Sequence, residues 1–274
     1  MSRSDQDLLV SIDGPVATLM INRPAKRNAL TVAMWRDLAA ICAELDADPR
    51  LRVLVVTGVG PSFCAGADIS SLSEDEAVLK EVVETAERAL RNLAMPSVAQ
   101  ISGHCFGGGN QIAVACDLRV ADSSASFAVP PARLGVIYPV GSTRALVELI
   151  GSAAAKRLIF TAQPIDAAQA LRIGLVEQVV EPGQLDAAVT ELVAEILPLA
   201  PMTQFAGKEL VNLIADGGDA DAAFDRWAAR WRLSADGFEG PAAFLGRRQP
   251  VFSWRPEPVG PGPIGPEPVG PEPR

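Results

Sequence analysis

Histidine, tyrosine and paired cysteines are scarce in this sequence. Among its 274 residues there is one histidine, one tyrosine and four cysteines. The cysteines show neither a C-x-x-C pair nor the spacing of metal ligands, and His104 is the only histidine that could join them. We therefore expect no metal site and predict buried, reduced thiols at Cys42, Cys64, Cys105 and Cys116.

Long apolar runs and an excess of positive charge are also missing. No apolar run reaches the roughly 20 residues that a membrane-spanning helix needs. The first seven residues lack a basic region followed by an apolar stretch, so we expect no secretory signal, no membrane partner and a cytoplasmic protein. The net charge of −9 and the pI near 4.8 argue against a nucleic-acid partner, which would require a basic face.

Hydrophobic residues make up 49% of the chain, enough for one substantial core. Thr31 is placed to cap a helix with apolar residues at helical spacing, and residues 76–93 show a second such pattern. The uninterrupted apolar run within residues 51–57 is typical of a strand buried on both faces of a parallel sheet. Further strands are predicted at residues 8–12, 16–21, 97–101, 117–121 and 125–128.

The C-terminal part of the chain has a different pattern. Residues 141–248 are predicted to be almost wholly helical, which indicates an α/β core followed by a helical layer. The last residues repeat Pro-x-Pro-Val/Ile-Gly, which predicts an extended, disordered tail. We divide the chain into an α/β core at residues 1–200, a helical region at 201–254 and a tail at 255–274.

The most distinctive motif is a glycine triplet at residues 107–109, between a predicted strand and a predicted helix. Glycine lets a ligand approach backbone N–H groups closely, and a helix start adds unpaired N–H donors and the positive end of the peptide dipole. Such a corner suits negative charge, either on a phosphate or on an oxygen that becomes anionic during a reaction. Tight packing of the helix on the strand is the alternative explanation.

A basic loop stands out in this acidic chain. Arg23, Lys26 and Arg27 lie within five residues of one another. The loop is either a solvated turn or a contact for an anionic ligand, because a bound anion would need positive charge concentrated locally.

Three motifs together resemble the crotonase (enoyl-CoA hydratase/isomerase) superfamily. They are Phe-Cys-Ala-Gly-Ala-Asp-Ile at residues 63–69, Gly-His-Cys-Phe-Gly-Gly-Gly at 103–109, and Ala-Cys-Asp-Leu-Arg at 115–119. The resemblance covers roughly residues 8–252. It implies the crotonase (ClpP-like) fold, in which repeated ββα units form an α/β core and a helical C-terminal region assembles a homotrimer or a dimer of trimers.

The resemblance also implies a substrate and a site. An acyl-CoA thioester would place its carbonyl oxygen between the backbone N–H groups of Ala67 and Gly108, which would stabilise an enolate. Coenzyme A is part of that substrate, so no separate cofactor is expected. The adenine would lie near residues 65–69, and the phosphates near the basic loop, sometimes with help from Arg247 and Arg248. The residues expected to contact substrate are Arg23, Lys26, Ala29, Ala65, Asp68, Ile69, Gly107 and Pro131.

The chain departs from the family at its acid–base residues. Hydratases of the family use two glutamates, at the positions that hold Gln111 and Pro131 here. Hydration needs one group that takes a proton from water and another that delivers a proton to carbon. A glutamine amide can orient water but exchanges no proton near neutral pH, and proline does neither. We therefore expect an oxyanion hole without the usual hydratase activity.

Two other side chains are candidates for proton transfer. Tyr138 follows the missing second glutamate, in surroundings that look similar to the methylmalonyl-CoA decarboxylase branch of the family. It would orient or protonate a malonyl-type substrate, or else pack under a loop. His104 has a suitable unperturbed pKa but an equally ordinary structural explanation. For Asp68, capping the next helix is the alternative to substrate contact. The resemblance thus leaves enolate chemistry, decarboxylation and non-catalytic acyl-CoA binding open.

Overall fold

The chain begins with a hairpin of two strands. The computed structural model describes residues 7–68 and 76–256. Strands β1 (Leu8–Asp13) and β2 (Val16–Ile21) pair antiparallel across a tight turn. Gly14 lies in that turn with a φ of +54°, a conformation that residues with a Cβ atom rarely adopt. On β2, Ala17, Leu19 and Ile21 alternate towards the core, as a period of two residues requires.

Parallel strands continue the sheet from β2. They are β3 (Val53–Gly58), β4 (Ser97–Ile101), β6 (Leu118–Asp122) and β9 (Gln178–Val180), in the spatial order β1-β2-β3-β4-β6-β9. Successive residues of β3 face two different apolar clusters. Leu54 and Val56 pack into the cluster on one side of the sheet, and Val53 and Val55 pack into the cluster on the other side. This confirms the strand buried on both faces.

A second, three-stranded sheet carries the glycine-rich corner. It contains β5 (His104–Phe106), β7 (Ser126–Ala128) and β8 (Ile165–Asp166), in the order β5-β7-β8. Because β5 follows β4 after two residues, the chain changes sheets just before the triplet.

Helices follow most strands and cover the sheets. Thr31 Oγ1 accepts the Met34 N–H at 3.2 Å, so the predicted cap is confirmed. The long helix α5 is interrupted at Gly151, whose φ is +74°. The α-helices of the described residues are α1 (Val32–Asp46), α2 (Glu76–Arg91), α3 (Gly108–Ala115), α4 (Pro131–Leu134), α5 (Val140–Thr161), α6 (Ala167–Arg172), α7 (Leu185–Ile196), α8 (Pro201–Asp216), α9 (Ala220–Leu233) and α10 (Asp236–Leu245).

The expectation that residues 141–248 are almost wholly helical is wrong in two places. Strand β8 pairs with β7, and strand β9 extends the main sheet beside β6. Both strands are only two or three residues long. A periodicity of two residues has no length in which to show itself there, and partners distant in sequence decide the conformation.

The C-terminal helices are joined by polar contacts and aromatic packing. The Trp254 ring packs edge-to-face on Phe205 and on Trp227. The Asp236 carboxylate accepts backbone N–H groups from Ser253 and Trp254. Residues 257–274 of the predicted tail lie outside the described residues. The domain boundaries and the oligomeric assembly stay predictions.

The four cysteines are buried and form no disulfide, as predicted. Burial raises the pKa of the Cys64 thiol to about 12, which keeps that thiol protonated and unreactive near neutral pH. In the part of the chain that the structure describes, no helix has the length and apolar character to cross a membrane.

Candidate functional site

Two loops meet in a single bridge beside the glycine corner. The Leu30 N–H donates to the Gly66 carbonyl at 2.8 Å, and the Asp68 N–H donates to the Leu30 carbonyl at 2.8 Å. This is a parallel bridge between Leu30 and Ala67, in which Leu30 bonds to the two neighbours of Ala67. The N–H of Ala67 therefore points away from Leu30.

The N–H of Gly108 lies close to that of Ala67. Gly108 is the first residue of α3, so its N–H has no acceptor within the helix. A Cβ atom built on Gly108 would lie 3.4 Å from the Ala67 nitrogen, and one built on Gly66 would lie 3.4 Å from the Gly108 nitrogen. Within residues 7–68 and 76–256, neither N–H donates to a backbone or side-chain acceptor. The corner thus presents two unpaired donors a few ångströms apart.

Close packing holds this corner in place. A Cβ on Gly109 would lie 2.3 Å from the Cys64 carbonyl oxygen, which leaves no room for a side chain. Gly107 has a φ of +49°, and its N–H donates to the Ala128 carbonyl at 2.9 Å. The packing explanation of the triplet is therefore correct, and it coexists with the unpaired donors rather than replacing them.

The basic loop is built around Asn28, to which sequence reasoning assigned no structural role. Its side chain is fully buried, accepts the Arg23 N–H, and donates to the carbonyls of Val59 and Ser62. Asn28 has a φ of +59°, which asparagine tolerates better than most residues. The loop is thereby tied to the segment that leads into the corner, where the Ala65 N–H donates to the Arg27 carbonyl at 2.9 Å.

A polar network lies one helical turn beyond Gly108. Gln111 is buried on α3, and its Nε2 donates to Ser142 Oγ at 2.7 Å. The Ser142 hydroxyl in turn donates to the carboxylate of Glu87, with Oγ 2.8 Å from Oε1 and 2.9 Å from Oε2. Because positions i and i+3 of a helix are neighbours, Gln111 lies on the same face of α3 as Gly108.

The Glu87 carboxyl has a pKa well above its usual range. Burial raises its pKa to about 7; the negative charge of Glu84 adds to the rise, and hydrogen bonding from Ser142 and Gln111 opposes it. A carboxyl with a pKa near 7 exchanges protons readily at neutral pH. Sequence reasoning missed Glu87, although its place between the buried Val83 and Leu90 on one face of α2 could have revealed it.

Residues 11–255 match the family model described as enoyl-CoA hydratase/isomerase. The chain belongs to the enoyl-CoA hydratase/isomerase (crotonase) family. It is 37% identical over 211 residues to a short-chain-enoyl-CoA hydratase of Clostridium acetobutylicum, covering 75% of this chain and 81% of the relative. It is 32% identical over 260 residues to a mevalonyl-coenzyme A hydratase of Aspergillus fumigatus, covering 92% and 96%. A crystal structure of enoyl-CoA hydratase from Bacillus anthracis superposes with a TM-score of 0.84 at 29% identity, covering 90% and 99%.

In this enoyl-CoA hydratase/isomerase family member, Tyr138 and Asn110 lie beside the Glu87 network. Tyr138 packs against the core. Burial, together with the negative charge of Glu87, raises the pKa of the Tyr138 phenol far above its usual range. The phenol therefore stays protonated and is a weak acid. Asn110 is fully buried, and among the described residues neither atom of its amide has a hydrogen-bond partner of good geometry.

The expected substrate contacts of this family member are distributed over the corner. Arg23 Nη1 donates to the Ala29 carbonyl at 2.6 Å and to Asp68 Oδ2 at 3.1 Å, so Arg23 and Asp68 form an ion pair beside the Leu30–Ala67 bridge. Lys26 and Arg27 are exposed, which leaves their charges accessible to an anion.

The remaining predicted residues lie around Gly107 or outside the description. Pro131 is buried at the start of α4, and its neighbour Pro130 would lie 3.7 Å from a Cβ on Gly107. Ile69 lies outside the described residues, as does the segment in which a helix capped by Asp68 would begin. His104 Nδ1 is 3.1 Å from Ser62 Oγ, and its ring packs edge-to-face on Phe106, which is the structural role considered for it.

Proposed function

We propose that this protein binds an acyl-CoA thioester and stabilises its enolate. The thioester oxygen accepts hydrogen bonds from the N–H groups of Ala67 and Gly108. The observation that carries this proposal is the pair of unpaired amides at one corner, so close that a Cβ on Gly108 would lie 3.4 Å from the Ala67 nitrogen. Donors fixed in advance stabilise developing negative charge without any cost of reorganisation during the reaction.

The charges around the corner support a CoA ligand. Lys26 and Arg27 are exposed in a chain whose net charge is −9, and they lie on the loop that is bonded to residues 65–68. Positive charge there offers contacts for the phosphates of the nucleotide portion. Arg23 supports the loop through Ala29 and Asp68, and a bound phosphate would compete with that ion pair.

We do not expect efficient hydration of an enoyl-CoA. Gln111 uses an amide hydrogen on Ser142, and Pro131 has no side-chain group that exchanges protons. Decarboxylation of a malonyl-type CoA is also disfavoured, because the carboxyl of Glu87 lies near Tyr138 and would repel a second carboxylate. Proton transfer at the α-carbon of the thioester is therefore the reaction we favour.

The proposal predicts binding and α-proton exchange of a saturated thioester. Calorimetry should detect binding of butyryl-CoA, and NMR in D₂O should detect exchange of its α-hydrogens. Crotonyl-CoA should be hydrated far more slowly than the roughly 1–10³ s⁻¹ typical of enzymes.

Each other outcome identifies a different function. Absence of butyryl-CoA binding would contradict the proposal. Binding without exchange would indicate a non-catalytic acyl-CoA-binding protein, and crotonyl-CoA turnover in the range of typical enzymes would contradict the expectation on hydration. Release of CO₂ from methylmalonyl-CoA that disappears in Tyr138→Phe would establish decarboxylation instead.

A further inference from the structure

A carboxyl group from helix α2 is joined through Ser142 to Gln111, which lies one helical turn beyond Gly108. Helices α2, α3 and α5 contact one another in pairs, and each contributes one member of the Glu87–Ser142–Gln111 network. Ser142 is only 4% exposed and Gln111 only 7% exposed, so bulk water does not compete strongly for their hydrogen bonds.

We propose that Glu87 is the acid–base group of this site and that it exchanges protons with the bound thioester through the hydroxyl of Ser142. This inference rests on the proposed function. It assigns the proton transfer to helix α2, whereas the glutamates expected from the family would come from the positions of Gln111 and Pro131.

The proposed proton relay through Ser142 conserves protons and electrons in both directions. When an α-hydrogen is removed, the carbon–hydrogen bond breaks, its electron pair enters the enolate, and the proton passes to Ser142 Oγ. At the same time the hydroxyl proton of Ser142 passes to Glu87, which becomes a neutral acid. Return of the proton from Glu87 through Ser142 restores the carbon–hydrogen bond and the carboxylate, so no further reactant is needed.

The orientation of the Ser142 hydroxyl follows from the charge of Glu87. While Glu87 is a carboxylate, Ser142 donates to it and accepts from Gln111 Nε2. When Glu87 is protonated, its O–H donates to Ser142 Oγ, which then accepts two hydrogen bonds and must direct its own hydrogen elsewhere. Protonation of Glu87 thus releases a hydroxyl hydrogen for another acceptor, such as the substrate.

The other groups around Glu87 are less suited to this role. Tyr138 retains its proton, the Gln111 amide does not titrate, and Glu84 influences Glu87 through its charge. A pKa near 7 matches that of an efficient acid–base group at neutral pH.

The test is α-proton exchange of butyryl-CoA in Glu87→Gln, a change that keeps the shape and removes the titration. We expect the variant to bind butyryl-CoA with unchanged affinity and to exchange at least about 100-fold more slowly. In the wild type the exchange rate should rise with pH to a midpoint near 7. That rise should be absent from Glu87→Gln.

Three further variants test whether the loss of α-proton exchange is specific to the proposed relay through Glu87 and Ser142. Ser142→Ala should lose exchange to a similar extent, and the double variant should be little worse than either, because the two residues act as one unit. Glu84→Gln should keep the activity but move the midpoint to lower pH, since it removes a negative charge that raises the pKa of Glu87. Glu81→Gln, an exposed carboxylate on the same helix, should change nothing.

The outcomes separate the two proposals. If the wild type does not bind butyryl-CoA, the proposed function fails and this inference fails with it. If the wild type binds and exchanges, but Glu87→Gln exchanges at the same rate, only the inference is overturned. If Glu87→Gln does not fold, an unshifted midpoint in Glu84→Gln overturns the inference on its own.

Discussion

Gly108→Ala is expected to reduce α-proton exchange of butyryl-CoA by about 10²–10³-fold or more while the protein remains folded. The added methyl group would lie 3.4 Å from the Ala67 nitrogen, in contact with one of the two unpaired amides. We therefore expect it to crowd the thioester oxygen that the proposal places at this corner. Losing one donor of an oxyanion hole typically costs on the order of 2.7–4 kcal/mol of transition-state stabilisation.

The same substitution requires the buried Trp35 ring to give way by a few tenths of an ångström. Gly108 has helical backbone angles that alanine also adopts, and the tightest contact of the methyl group is 3.0 Å, with Trp35 Cζ2. Gly207→Ala is the matched control, because a Cβ at that helical position meets no atom within 4 Å. Exchange at the wild-type rate in Gly108→Ala would contradict the assignment of the oxyanion hole, provided that circular dichroism shows a folded protein.

The second large effect is expected for Arg119→Met, in stability rather than activity. Arg119 is 3% exposed, and its guanidinium donates to the carbonyls of Leu175 at 3.0 Å and Cys116 at 2.7 Å. It also forms an ion pair with Glu177. Removing the guanidinium leaves buried acceptors unpaired, so we expect a loss of about 3–5 kcal/mol in the free energy of unfolding, measured by urea denaturation.

An exposed ion pair provides the control for Arg119→Met. Arg50 bonds to Asp48 at 2.7 Å, but its side chain is 77% exposed. Arg50→Met should therefore leave the free energy of unfolding nearly unchanged, because exposed ion pairs contribute little to stability. Equal losses in the free energy of unfolding for the two substitutions would show that the buried carbonyl contacts of Arg119 do not stabilise the protein more than an exposed ion pair does.

The parts of the site that sequence reasoning predicted are those with local signatures. The strand at Val53–Gly58 was predictable because its apolar run is uninterrupted. The glycine corner was predictable because three consecutive glycines at a strand–helix junction allow both tight packing and a close approach to backbone N–H groups. Ala67 and Gly108 followed only from the family resemblance, since an unpaired backbone N–H has no sequence signature of its own.

The parts that sequence reasoning missed depend on contacts between distant residues. Glu87 is one acidic residue among several on α2, and its character comes from burial against α3 and α5, which carry Gln111 and Ser142. Asn28 belongs to a turn without a distinctive local sequence, and its hydrogen-bond partners Val59 and Ser62 lie more than thirty residues away in the chain. Neither property is contained in local composition.

The partly buried carboxyl of Glu87 couples folding to pH in the direction opposite to that of most acidic groups. An unfolded glutamate titrates near about 4.3, whereas the pKa of folded Glu87 is about 7. At pH values between about 4.3 and 7, folding therefore takes up a proton at Glu87. The resulting contribution to the free energy of unfolding is present in full below about pH 4 and is lost as pH rises through 7. This contribution is on the order of 1–3 kcal/mol after allowance for partial solvent screening.

Urea midpoints at pH 5 and pH 8 should differ less in Glu87→Gln than in the wild type. Equal differences in the two proteins would mean that this carboxyl takes up no proton on folding.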